Sequence, residues 1–233
     1  METNLEYAKT VAKQLLYVEP KVTSIPFIIS HPFISNNMVY DIKTEHFLDI
    51  FEEDNMNKIR DSFSDLIDKA DSLGHLFMYI NKPYRAVYFK MVHKELSEKD
   101  YNEYLAYVWT DSENPNQDPN VSIPLWIKFF KKANKNMLMS SEDKEIYDDL
   151  PENDKILIYR GVGKDREPFG LSWTNNVKTA KWFANRWGND EAYMFKANCY
   201  KKDVLAYFNS RNENELVVNV KNIFDVEKVM LNG

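Results

Sequence analysis

The residues of this chain that could do chemistry lie in three short stretches of its C-terminal third. The last of them, Arg211-Asn212-Glu213-Asn214-Glu215-Leu216-Val217-Val218-Asn219-Val220, sets two carboxylates at the opening of an apolar, β-branched run. Side chains two apart on a strand point to one face, about 7 Å apart at about 3.3 Å per residue. Glu213 and Glu215 are therefore expected to lean into the same space. An isolated Glu-x-Glu is far more often a polar turn feeding a strand, and what gives this one weight lies upstream: a strand ending in Arg160-Gly161 and a second strand, Ser172-Trp173-Thr174. Taken singly, Arg160 reads as a solvated or salt-bridged strand end and Ser172 as an ordinary polar strand residue. Other chemistries lack their residues. His31, His46, His75 and His93 all precede residue 100 in no metal-binding spacing. Cys199 is the sole cysteine, which leaves no intrachain disulfide and no thiolate metal site. There is no nucleophile elbow and no glycine-rich phosphate loop.

The elements that must position these stretches follow from pattern. After Pro151 the chain reads as strands at 155–161 and 170–174, a helix at 176–187 with Ala180, Phe183, Ala184 and Trp187 on one stripe and Gly188 as its stop, then strands near 191–199, 204–208, 215–220 and 224–231. Six short strands around one helix, without crossover helices, predict a mostly antiparallel β-sandwich. Residues 1–150 read as mostly helical, with helices at 4–17, 45–53, 56–71, from a capping start at 97–100 through Val108, at 125–133 and at 140–150. A proline-broken apolar segment covers 22–33, Gly74 closes the 56–71 region, and 76–92 reads as helix or strand, helix with a turn at Asn81-Lys82-Pro83 being the first reading. Residues 111–124 form a long turn-rich loop, of a length that is usually functional or mobile. The fold class expected is α+β.

Composition sets outer bounds. Of 233 residues, 44% are hydrophobic and 14% aromatic, which is globular composition rather than disorder. The net charge of −6 disfavours a general nucleic-acid binder, which needs a cationic surface to displace counterions from phosphates. Residues 1–150 carry 17 Lys and Arg against 25 Asp and Glu, whereas residues 151–233 carry 13 against 11. That shift suggests a boundary near 150 and a C-terminal part able to host an anionic ligand. Neither a signal peptide nor a membrane span is legible, so a cytoplasmic protein is expected, in a host's cytoplasm if the chain is phage-encoded.

Arg160-Gly161, Ser172-x-Thr174 and Glu213-x-Glu215, in this order and in these strand contexts, resemble the mono-ADP-ribosyltransferases of the Arg-Ser-Glu type, the clostridial-toxin-like branch. The resemblance covers roughly the last 80 residues, and the helix carrying Ala180-x-x-Phe183-Ala184 fits it. More loosely, residues 1–150 resemble helical segments that precede such domains in phage and bacterial proteins. The resemblance implies a 151–233 catalytic core that binds NAD as substrate and breaks its nicotinamide–ribose bond through an oxocarbenium-like transition state. It assigns Glu215 to stabilising that cation and Ser172 to orienting Glu215, with Thr174 supporting the strand. Arg160 would hold the phosphate or ribose side of NAD, and Gly161 would let the nicotinamide amide approach the backbone. Phe183 would either pack against the nicotinamide or be plain core, core being the first reading. Glu213 implies arginine on a protein target as acceptor; a nucleic-acid base is the less favoured one. Tyr207, Phe208 and Asn209 fall at the family's substrate-recognition turn, where an exposed aromatic could grip a partner. Trp173 departs from the small residues common at its position and either points into the core or narrows the site. The alternatives are an NAD glycohydrolase on the same fold and a catalytically idle module that binds and blocks a partner.

Overall fold

The computed structural model describes residues 1–42, 44–163, 166–186 and 192–231. Trp187 and Gly188, the expected last apolar position and stop of the helix at 176–187, lie outside the described residues. The chain divides into two compact units, Met1–Tyr104 and Leu105–Gly233. The boundary expected near 150 instead falls inside the second unit, because the helices between 105 and 150 pack against the sheet that follows them.

In the first unit α1 (Leu5–Leu15) presents Ala8, Val11, Ala12 and Leu15 to the core, is capped by the Asn4 side chain on the Tyr7 amide, and packs on α2, α3 and α4. Two small hairpins follow it: β1 (Lys21–Val22) with β2 (Ile29–Ser30), and β3 (Met38–Asp41) with β4 (His46–Asp49). The helix expected at 45–53 is thus a strand. Glu45 takes a left-handed φ of 57°, which turns the chain back on itself, and Tyr40 meets Phe47 edge-on across the pair. Next come α2 (Glu53–Lys69), α3 (Leu73–Tyr79) and α4 (Arg85–Val92). Gly74, expected to close the preceding region, lies inside α3, and the interruption at Pro83 is a 3₁₀ turn, Lys82–Tyr84. Helix α5 (Glu98–Asp111) begins in the first unit and ends in the second.

The second unit adds α6 (Ile123–Lys132), α7 (Lys135–Leu138) and α8 (Ser141–Asp148), then β5 (Ile156–Val162), β6 (Ser172–Thr174), α9 (Val177–Asn185), β7 (Tyr193–Cys199), β8 (Val204–Phe208), β9 (Glu215–Val218) and β10 (Phe224–Met230). The architecture is α+β. Among the described residues, all six strands join one antiparallel ladder in the order β10-β7-β5-β6-β9-β8, where two stacked sheets were expected. The ladder has two three-stranded halves joined by a single residue pair, Tyr159 with Thr174, and Thr174 also pairs with Glu215 on its other side. Helix α9 covers β5, β6 and β7, while α6 and α8 pack on β8. An aromatic core of Trp109, Trp126, Phe129 and Phe130 fills the helical side, with Trp109 edge-on to Trp126 at 5.2 Å and to Phe130 at 5.1 Å.

Candidate active site

The candidate carboxylates lie in the turn between β8 and β9 and at the start of β9, and local chemistry explains the turn's shape. Asn212 and Asn214 take left-handed φ values of 58° and 48°, a region that asparagine tolerates better than most residues. The Asn209 side chain accepts from the Asn214 amide at 3.0 Å, and the Tyr207 hydroxyl donates to the Asn214 side chain at 2.9 Å. The Asn209 amide in turn donates to the half-hidden Asp143 carboxylate of α8 at 3.1 Å. Glu213 therefore sits in a turn before the strand, not on it; Glu215 is the first residue of β9, and both line one cleft. Tyr207 and Phe208 are buried, at 1% and 6% exposure, so neither is the exposed aromatic expected at this turn. Their side chains serve the interior: Tyr207 braces Asn214, and Phe208 faces Phe130.

Glu215 lies at the floor of that cleft. Trp109 Nε1, from the end of α5, donates to Glu215 Oε1 at 3.2 Å, and Ser172, diagonal to Glu215 on the paired strand β6, lines the same cleft. Burial pushes the Glu215 carboxyl above the usual carboxylate range. Ser172 opposes that shift, Glu213 reinforces it, and Trp109 and Arg211 oppose it. Glu213 is likewise raised by burial and held back by Arg211 and Arg186. Thr174 Oγ1 donates to the Glu213 carbonyl at 3.2 Å and accepts from the Asn176 amide, tying the turn to the start of α9.

Arg160 is buried on β5 and committed to the chain's own carbonyls. Its Nε donates to Pro168 O at 3.1 Å and Glu167 O at 3.3 Å, Nη1 to Ser172 O at 2.6 Å and Nη2 to Glu167 O at 2.8 Å. Burial lowers its pKa to about 10, with Glu215 and Glu167 holding it up, so it remains cationic at neutral pH. It thus anchors the segment that carries Ser172 as well as lining the cleft. Gly161 has a firm steric reason: a Cβ there would meet the Ala180 carbonyl oxygen of α9 at 1.9 Å and the Ala184 nitrogen at 2.7 Å. Phe183, read first as core, is partly exposed on the cleft wall, edge-on to Trp182. Trp173 is 2% exposed and donates to the Gly170 carbonyl at 2.9 Å, which places most of it in the core behind β6.

Two residues of this site escaped the sequence reading. Trp109 follows the helix expected through Val108 and was not singled out. Asn116 sits in the 111–124 loop, on the 3₁₀ turn Pro115–Gln117, and that loop's unusual length was its only signal. Its Nδ2 donates to Ser172 Oγ at 3.0 Å, and its Oδ1 accepts from the Leu171 amide at 2.5 Å. The loop is pinned, not loose: Trp126 Nε1 donates to the Pro115 carbonyl at 2.9 Å, and Asp118 Oδ1 accepts from the amides of Asn120 and Val121.

Arg160, Arg166, Arg186 and Arg211 line the cleft together with Glu113, Glu213 and Glu215. The enclosed space of the cleft is about 150 Å³, and it opens to solvent at its mouth. Guanidinium groups around a partly apolar floor suit a polyanion with an attached ring system. Among the described residues no cluster of His, Cys, Asp and Glu could hold a metal ion, and no helix is long and apolar enough to cross a membrane. Comparison with protein-family models, curated proteins and solved structures finds no match for the chain.

Proposed function

We propose that this protein is an NAD-dependent mono-ADP-ribosyltransferase that cleaves the nicotinamide–ribose bond and transfers ADP-ribose to arginine on a protein target. The observation that carries the reading is Glu215: a carboxylate in an arginine-lined cleft, held by the Trp109 indole at 3.2 Å and with Ser172 beside it on the paired strand. A carboxylate so held can stabilise an oxocarbenium-like ribose without reorganising, which is what speeds glycosidic cleavage. The cationic walls suit the NAD diphosphate, with Arg166, Arg186 and Arg211 more accessible to it than the carbonyl-bound Arg160. Phe183 on the wall can stack on nicotinamide. The resemblance in sequence motifs and the two three-stranded antiparallel halves of the sheet support the same reading.

Glu213 serves the acceptor. Its carboxylate can pair an incoming guanidinium and draw the proton that the guanidinium releases on attack. One observation favours the glycohydrolase alternative, in which water is the acceptor: Arg211 and Arg186 already act on Glu213, so an arginine acceptor must displace or share them. The deciding experiment incubates the protein with labelled NAD and cell lysate, following nicotinamide release and labelled macromolecule separately. Wild type should give both, Glu215→Gln neither, and Glu213→Gln should lose protein labelling by at least tenfold more than nicotinamide release. Labelling unchanged in Glu215→Gln would sink the assignment, and release without labelling would select the glycohydrolase.

A further inference from the structure

We infer that Asn116 is a positioning residue for Glu215, fixing the direction in which the Ser172 hydroxyl donates. The inference rests on the reading of Glu215 as the reacting carboxylate for its importance, but not for its geometry. A backbone N–H can only donate, so the Leu171 amide, 2.5 Å from Asn116 Oδ1, defines that atom as the carbonyl oxygen of the side chain. The other end of Asn116 is then its NH₂, which can only donate, and it lies 3.0 Å from Ser172 Oγ. With that lone pair occupied, the hydroxyl hydrogen of Ser172 is left to turn toward Glu215, which lies diagonal to Ser172 on the paired strand, lines the same cleft, and has its charged form favoured by Ser172. The chain Leu171 N–H, Asn116, Ser172, Glu215 thus runs one way, and it ends by stabilising the charged form of Glu215.

Two features show that the contact is built into the fold. A Cβ on Gly170 would come within 2.6 Å of Asn116 Cγ and 2.6 Å of Arg160 Nη2, so the absence of a side chain there admits both groups to the same spot. The Pro115 carbonyl, next to Asn116, is held by buried Trp126. Charged groups acting on Glu215 include Glu213 and Arg211 from the turn and Arg160 from β5; Glu113, Arg166 and Arg186 line the same cleft, and neutral Trp109 donates from the α5 side.

The test reads the Glu215 titration without needing turnover. Trp109 Nε1 donates to Glu215, so its indole N–H resonance, assigned with Trp109→Phe and shown to lose its titration in Glu215→Gln, reports protonation of that carboxyl. Asn116→Asp keeps the side-chain shape and the Leu171 bond but can only accept, so it turns the Ser172 hydroxyl away from Glu215. Asn116→Ala removes the constraint without adding charge. Both should move the Glu215 midpoint upward, the Ala variant by about one pH unit, the size of one hydrogen bond to a charged group. In a Ser172→Ala background Asn116→Ala should do nothing further, and the Asp variant should retain only its charge effect. A midpoint unmoved by Asn116→Asp, or moved equally with and without the Ser172 hydroxyl, would overturn the inference. Nicotinamide release is measured alongside: if wild type releases none, the transferase reading fails while the titrations still decide the role of Asn116.

Discussion

At the scale of single residues the site is expensive to fold, and that can be measured. Burial raises the carboxyls of Glu213, Glu215 and Asp143, the last also opposed by bonds from Ser140 and Asn209. A carboxyl whose folded pKa exceeds its unfolded value holds its proton more tightly when folded. Its effect on stability is therefore absent below the unfolded pKa, becomes increasingly unfavourable as pH rises through the window between the two values, and stays unfavourable above it. Glu215→Gln should accordingly be more stable than wild type to urea at pH 8, and the difference should shrink toward zero below pH of about 4, near the ordinary Glu value. A variant less stable than wild type at pH 8 would contradict this. Glu213, Glu215 and Ser172, singled out in the sequence by type and spacing, line one cleft. Burial was not legible. Tyr207 and Phe208 were expected as a gripping surface because they fall at the substrate-recognition turn of the family the motifs resemble, but every residue of β8 is buried, so the alternation that would have turned one of them outward is missing.

At the scale of elements, strand β5 and helix α9 show how closely the cleft walls depend on one glycine. Gly161 lets the α9 backbone approach, and α9 then carries Phe183 to the cleft, with Arg186 as its C-cap. Gly161→Ala forces a Cβ to within 1.9 Å of a carbonyl oxygen, an overlap that only a shift of the helix relieves. The expected cost is at least about 3 kcal/mol, at the upper end for overpacked sites, read as a lowered urea midpoint at unchanged m-value. If instead Gly161 serves only to admit a ligand, stability will be unaffected. Helices α1, α2 and α6 were visible from their apolar stripes, and the strands β5 to β10 were expected close to where they lie. The β3–β4 hairpin was not: its turn depends on Glu45 in a left-handed conformation, which glutamate rarely adopts and sequence patterns do not flag. The pinned loop around Asn116 was visible as a loop but not as part of the site, because its hydrogen bonds reach more than 50 positions along the chain.

At the scale of the whole molecule, charge and contact divide the chain differently, and the difference has a consequence for any truncation. The change of charge balance near 150 is a property of the surface, whereas a folding unit is defined by what its core excludes from water. Trp109, Trp126, Phe129 and Phe130 come from before residue 150, are buried, and belong to the unit that contains the sheet. Removing one buried Trp or Phe typically costs 3–5 kcal/mol, and whole domains are stable by only about 5–15 kcal/mol. A chain of residues 151–233 lacks all four, and with them the Trp109 bond to Glu215 and the Asn116 bond to Ser172. It should show neither dispersed amide resonances nor a cooperative thermal transition. A chain of residues 97–233 begins at the Ser97 side chain that accepts from the Asp100 amide, so it keeps α5 whole together with every cleft residue. That chain should fold with a single cooperative transition and retain the titrating Trp109 indole signal. A folded 151–233 chain would show that the sheet is independent of the aromatic core, and would move the boundary back to where the charge balance changes.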